Sequence, residues 1–261
     1  MFIIFFVISF LASIIGAICG IGGGVIIKPV LDMLQMGSVS TINFLSGCTV
    51  LSMSLYSVGK SFVNKDSKVN IATGTPLAIG AAIGGVVGKQ LFSFIRAMFA
   101  DPDMAGGVQA VCLGVITIGT LAYTICKDRI RTQKMTSKAV CLVIGLLLGI
   151  MSSFLGIGGG PINLVVLYYL FSMDTKTAAA NSLYIILFSQ LASLATTLVT
   201  GSVPEFQWGA LVLMVAGGIG GGIAGRALNR KLDNKAVDKL FIALMAVIVL
   251  ICIFNVYNAF L

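Results

Sequence analysis

Apolar stretches as long as a bilayer is thick recur along this chain, and two of them are interrupted by the same five letters. Residues 2–19 carry no charge, and residues 140–155, 184–200 and 240–254 are charge-free runs of similar length. They approach or reach the roughly 17–25 residues that cross a hydrocarbon core as a helix. The sequence GIGGG occurs at residues 20–24 and again at 156–160, with apolar flanks on both sides. Four glycines in five residues oppose a continuous helix, each costing about 1 kcal/mol relative to alanine. The chain therefore reads as an all-α polytopic membrane protein that breaks two of its own membrane helices. The apolar/polar alternation of an outer-membrane barrel is absent from the sequence.

Composition narrows the function classes. Of 261 residues, 58% are hydrophobic and only 10% charged, against about 25% charged in a soluble domain. The net charge of +8 could suggest nucleic acid, but the basic residues gather beside the spans, at 60–68, 127–138 and 226–239. That is the positive-inside bias of cytoplasmic loops, so no nucleic-acid partner is expected. Histidine is missing, which removes the usual general base and the commonest metal ligand. Cys19, Cys48, Cys112, Cys126, Cys141 and Cys252 form no C-x-x-C pair and read as small buried apolar residues. No cofactor and no metal is implied. Residues 2–19 lack a basic n-region and a convincing cleavage site, and so read as a retained span rather than a signal peptide.

Self-comparison divides the chain in two. The GIGGG copies lie 136 residues apart, GGVVGKQL at 84–91 matches GGIAGRAL at 221–228, and Asn43 matches Asn181 at the head of a polar apolar-flanked run. Three matches in one order imply duplication: a first repeat at 1–127, a basic cytoplasmic loop at 128–138 and a second repeat at 139–261. Internal symmetry of this kind marks secondary transporters. Each repeat is expected to hold a broken segment (2–36 and 139–173) and a span rich in Ser, Thr and Asn (42–59 and 181–200). A small-residue span (71–96 and 207–228) and a plain apolar span (105–126 and 239–260) follow. Glycines three or four apart in the small-residue spans allow close helix contact in lipid.

A straight helix over residues 2–36 would run about 50 Å at 1.5 Å per residue, too long for a core of about 30 Å. The broken segment is therefore expected to fold at its glycines into a re-entrant helical hairpin, leaving three transmembrane helices per half. The odd number of crossings gives two inverted-topology repeats. With the N-terminus outside, all three basic segments become cytoplasmic, while Asp101, Asp103 and Glu205 fall outside.

A helix broken within the membrane presents an N-terminus with bare N–H donors and partial positive charge, a ready anion site. Candidate binding residues are Gly22, Gly23, Gly24, Lys28 and Asn43 in the first half and Gly158, Gly159, Gly160, Asn163, Asn181 and Ser182 in the second. Pro161 is expected to start the second returning arm. Lys28 has two readings, a site residue or a side chain snorkelling to the interface. The hydroxyls of the polar spans either line the site or bond between helices. Lys89 and Arg226, matched at the ends of the small-residue spans, are placed at the cytoplasmic interface. The Lys-Ser/Thr ending of a phosphate loop is missing, and no βαβ context surrounds either glycine run.

GIGGGVIIKPVL at residues 20–31 and its partner at 156 together resemble the paired signature of the sulfite exporter TauE/SafE family, also called the four-toluene-sulfonate uptake permeases. The resemblance covers nearly the whole chain. It implies a multi-pass carrier of the cytoplasmic (inner) membrane for small anions such as sulfite, sulfonates or sulfoacetate. The family's motif glycines fall on Gly20, Gly22, Gly23 and Gly24 and on Gly156, Gly158, Gly159 and Gly160, with the motif proline at Pro29. The second copy departs from the pattern, with Val165 where a proline parallel to Pro29 would stand. The expected function is alternating-access transport of a small anion across the lipid bilayer, and not enzymatic. An anion channel using the same helix N-termini is the alternative. A coupling ion and self-association are left open.

Overall fold

The computed structural model describes residues 2–64, 67–99 and 104–260; Asp101 and Asp103, assigned above to an outer loop, lie outside them. Among the described residues the chain is helical and holds no strand. The first half contains α1 (Phe2–Cys19), α2 (Gly24–Met33), α3 (Val39–Val63), α4 (Ile71–Met98) and α5 (Met104–Cys126). After a 3-10 turn at Lys127–Arg129 the second half repeats the order: α6 (Lys138–Phe154), α7 (Pro161–Phe171), α8 (Thr175–Val199), α9 (Trp208–Lys231) and α10 (Asn234–Phe260). Seven of these are long and apolar enough to cross a membrane. The outward faces are apolar too, with Val115 66% and Leu250 67% exposed, as lipid contact requires and water would penalise.

Both broken segments double back. Ile27 and Leu31 of α2 pack on Phe5 and Ala12 of α1, so α2 retraces α1 instead of extending it. In the second half the chain before α6 meets the end of α7: Gln133 N–H donates to Tyr169 O (2.7 Å) and Met135 N–H to Leu170 O (2.9 Å). Each pair is thus a hairpin that enters and leaves at one end of the bundle. Side-chain caps start two of the spans that follow. Ser38 accepts from Thr41 N–H ahead of α3, and Asn70 accepts from Ala72 and Thr73 N–H ahead of α4, satisfying donors that a helix start leaves orphaned.

The halves are packed crosswise. Gly217, Gly221 and Gly225 on α9 lie against the carbonyls of Phe6, Phe10 and Ile14 on α1. Gly80, Gly84 and Gly88 on α4 lie against the carbonyls of Leu142, Leu146 and Ile150 on α6. The contacted carbonyls in the two seams are 136 residues apart throughout. A β-carbon at any of these glycines would meet backbone, which explains the small-residue stripes. The main apolar core joins the hairpin tips, through Ile18, Ile21, Val25, Leu155 and Ile157, to Leu113 of α5 and Phe241, Met245 and Ile248 of α10.

Long-range polar contacts define the two ends of the bundle. At one, the basic end, Lys127 pairs with Asp238, Arg226 Nη1 donates to Ser57 O (3.0 Å), and Asn181 Nδ2 donates to Lys68 O (3.3 Å). At the opposite end Thr41 Oγ1 donates to Glu205 O (2.9 Å).

Candidate functional site

The two glycine motifs break their helices in the same way. Gly20 and Gly22 both have φ of +76°, and Gly156 and Gly158 have φ of +66° and +71°, dihedrals that only glycine adopts without strain. In the first motif the N–H groups of Gly20 and Ile21 close α1 by donating to Gly16 O, at 2.8 and 3.1 Å. The next backbone donors are Ile26 and Ile27, both to Gly23 O at 3.0 Å. In the second, Gly156 N–H donates to Ser153 O, and the next donor is Asn163, to Gly160 O. Among the described residues, no acceptor stands opposite the N–H groups of residues 22–25 or 157–160. All eight residues are buried. An unpaired buried N–H costs about 1–3 kcal/mol, so each tip is a concentrated patch of unmet donors at a helix start. Pro161 occupies the first turn of α7, as expected.

The tips meet each other. A methyl group on Gly24 would overlap the carbonyl oxygen of Ile157, and one on Gly159 would sit 2.9 Å from the carbonyl oxygen of Ile21. Val50 of α3 touches both Gly22 and Gly158, and Ile186 of α8 touches both Gly22 and Gly159. Unpartnered hydroxyls ring the pair: Ser13 Oγ lies beside Gly23, Ser46 Oγ beside Gly24, and neither has a hydrogen-bond partner.

A cavity of about 310 Å³ at the basic end reaches this region. Lys68, Lys176, Arg226 and Arg230 line it, together with Ser57, Ser61 and Asn229. Its inner wall includes Ala17 and Ala179, and Ala179 is the residue against which Gly20 turns. Asn229 Nδ2 donates to Ile18 O (2.6 Å), fixing the wall to the first tip. Four cations around one funnel in a low-dielectric setting raise the local concentration of anions.

The structure gathers part of the sequence-derived set. Gly22, Gly23, Gly24, Gly158, Gly159 and Gly160 form the paired tips, and Asn43 presses on Gly156 with its Oδ1 unpartnered. Asn163, 1% exposed, sits in the first turn of α7 with its Oδ1 unpartnered, and Ser182 is buried with an unpartnered Oγ. Asn181 is engaged elsewhere: it accepts from Asn70 N–H at 3.1 Å and donates to Thr177 O at 2.8 Å, tying α8 to the chain before α4. Lys28 does not snorkel. It is buried and pairs with Asp32 at 2.6 Å, one helical turn away on α2.

The register of the polar spans also differs from the sequence match. Both ends of α8 lie 136 residues after those of α3. Asn43 therefore corresponds to Ala179, not Asn181: Gly156 packs on Asn43 as Gly20 packs on Ala179. Several hydroxyls of these spans bond back to their own helix, as Thr49 does to Leu45 O and Thr196 to Ala192 O, while Ser46, Ser57, Ser182 and Ser189 are buried with no hydrogen-bond partner for their hydroxyls. Arg230 was legible only as part of the basic segment at 226–239, and Lys176 was not singled out, since nothing local ties either to a motif. Ser13 and Ser153 were missed, although each stands within one or two turns of a glycine break.

A bundle of long apolar helices, two facing glycine-broken hairpins and a cationic funnel define a polytopic membrane transporter. The model of the sulfite exporter TauE/SafE family matches residues 5–251. The chain belongs to that family. It is 22% identical over 227 residues to a probable membrane transporter protein YunE of Bacillus subtilis (strain 168), covering 77% of this chain and 80% of that one. It is 29% identical over 219 residues to a probable membrane transporter protein of Haemophilus influenzae (strain ATCC 51907 / DSM 11121 / KW20 / Rd), covering 83% and 80%. No solved structure matches.

Proposed function

We propose that this chain is a secondary transporter of a small anion, an oxyanion of sulfur, a sulfonate or a similar carboxylate, in the cytoplasmic membrane. The observation that carries this reading is the pair of facing helix breaks whose N–H groups, at residues 22–25 and 157–160, lack acceptors. An anion between them would supply those acceptors and meet the positive ends of α2 and α7. The funnel lined by Lys68, Lys176, Arg226 and Arg230 is the approach, and it opens to the cytoplasm. Bare backbone at Gly24 and Gly159 is what lets the two breaks face each other so closely, because a β-carbon would overlap Ile157 O at the first and the Ile186 side chain at the second.

The inverted arrangement of the repeats is part of the same reading. It is supported by hairpins that return to their starting end, followed by three long helices in each half. Alternating access then consists of one set of elements rocking against the other around fixed tips.

Purified protein in liposomes tests the proposal. Saturable counterflow of sulfite, sulfoacetate or a simple carboxylate is the expected result. Large voltage-driven flux that does not saturate would instead establish a channel. Because a ligand bound only by the folded state raises apparent stability, a thermal-shift series of sulfite, sulfate, thiosulfate, sulfoacetate and carboxylates identifies the preferred anion.

A further inference from the structure

The funnel at the basic end has a counterpart. Ser57, Ser61 and Ala179, which line it, correspond at a spacing of 136 to Ser193, Thr197 and Asn43. Arg226 corresponds to Lys89 through the matched glycine-rich stretches, but Lys89, expected beside Arg226 at the cytoplasmic interface, lies instead toward the other end of α4, which starts at the basic end. Asn43, Lys89, Ser193 and Thr197 all line one other cavity, which abuts Gly156 of the second tip. Its volume is about 20 Å³, against about 310 Å³ for the funnel.

We propose that these are one vestibule built twice, open at the basic end and shut at the opposite end. The shut copy opens when the open one closes, with Lys89 receiving the anion there. The proposal rests on the transport reading above and adds to it the second doorway and the residue that serves it.

The polar groups of the shut copy are the independent sign. Asn43 is 8% and Ser153 5% exposed, both line the small cavity, and Asn43 Oδ1 and Ser153 Oγ have no hydrogen-bond partner. Orphaned buried acceptors and hydroxyls are costly, and in an opened vestibule water or an anion satisfies them. Phe92, 3% exposed, fills the space where the open copy has Asn229, and Lys89 Nζ lies 5.9 Å from its ring centre. Opening therefore requires the Phe92 ring to leave the cavity it lines.

The test is side-specific labelling after replacing the six native cysteines, all free. Ser61→Cys and Thr197→Cys are each treated with a membrane-impermeant anionic thiol reagent in right-side-out and inverted vesicles, with Ser193→Cys as a second probe of the shut copy. Ser61→Cys is expected to react from the basic-end face. Thr197→Cys is expected to react only from the other face, and about 10- to 1,000-fold more slowly, as for a minor state populated at about 0.1–10%. A bulky group on Ser61→Cys should then suppress labelling at Thr197→Cys. Inert probes at both 193 and 197, reaction from the basic-end face, or indifference to the wedge would each overturn the proposal. Labelling needs no substrate, so an opening vestibule without anion flux defeats the transport reading alone, and saturable flux with inert probes defeats only this one.

Discussion

Gly159 and Gly160 are neighbours in the chain, yet a methyl group would fare differently on each. On Gly159 it overlaps the Ile186 side chain, whereas on Gly160 its nearest neighbour is 3.6 Å away and the backbone is extended, with φ of −163°. Gly160→Ala should therefore stay within about 0.5 kcal/mol of the parent, and Gly159→Ala should lose about 1–3 kcal/mol, both read from thermal unfolding in detergent. Gly23→Val and Gly159→Val should abolish flux while the protein still inserts; normal flux in both would remove the tips from the pathway. Lys28 invites a different comparison. Lys28→Met strands the Asp32 carboxylate, which is 17% exposed, and removing one partner of a buried pair costs about 3–5 kcal/mol. The Lys28→Met/Asp32→Leu double variant should recover most of that stability. Its flux then decides whether the lysine acts on the solute or only holds α2.

Between elements, the crosswise seams are the feature most sensitive to side-chain size. Gly84→Val or Gly221→Val puts bulk against the backbone of α6 or α1 and is expected to lower the thermal midpoint sharply or prevent assembly. Gly119→Ala is the control, since nothing lies within 4 Å of a β-carbon there. Much at this scale was legible. The breaks followed from glycine chemistry, the returning arms from helix length, and the small-residue stripes from their spacing. Which helix fills each stripe was not legible, because a glycine ridge states only that something comes close. Register failed for a related reason. Asn43 and Asn181 are each rare polar residues in apolar runs, and residue type drew them together, whereas the helix ends and the packing on Gly20 and Gly156 pair Asn43 with Ala179. The vestibule was invisible because Lys68, Lys176 and Arg226 come from three distant segments.

Across the whole molecule, charge is distributed unevenly between two otherwise matched vestibules. Four cations line the open copy and one, Lys89, lines the shut copy. Lys176→Gln should raise KM for anion presented at the basic end and flatten the dependence of that KM on ionic strength, because solvated charges are screened beyond about 10 Å at 0.1 M salt. Asn64→Cys and Leu232→Cys should be labelled from the same membrane face; opposite faces would defeat the inverted arrangement. The crosswise docking also governs how the protein must be made. A ribosome that has delivered residue 127 has supplied every helix of the first repeat but not the glycine-lined or glycine-seeking surfaces against which two of them dock, since α1 waits for α9 and α4 for α6. At about 5–20 residues per second, α1 stays without its groove for many seconds while the second repeat is synthesised. The first repeat cannot mature ahead of the second, and a truncated chain ending after α5 would have only another copy of itself to lean on.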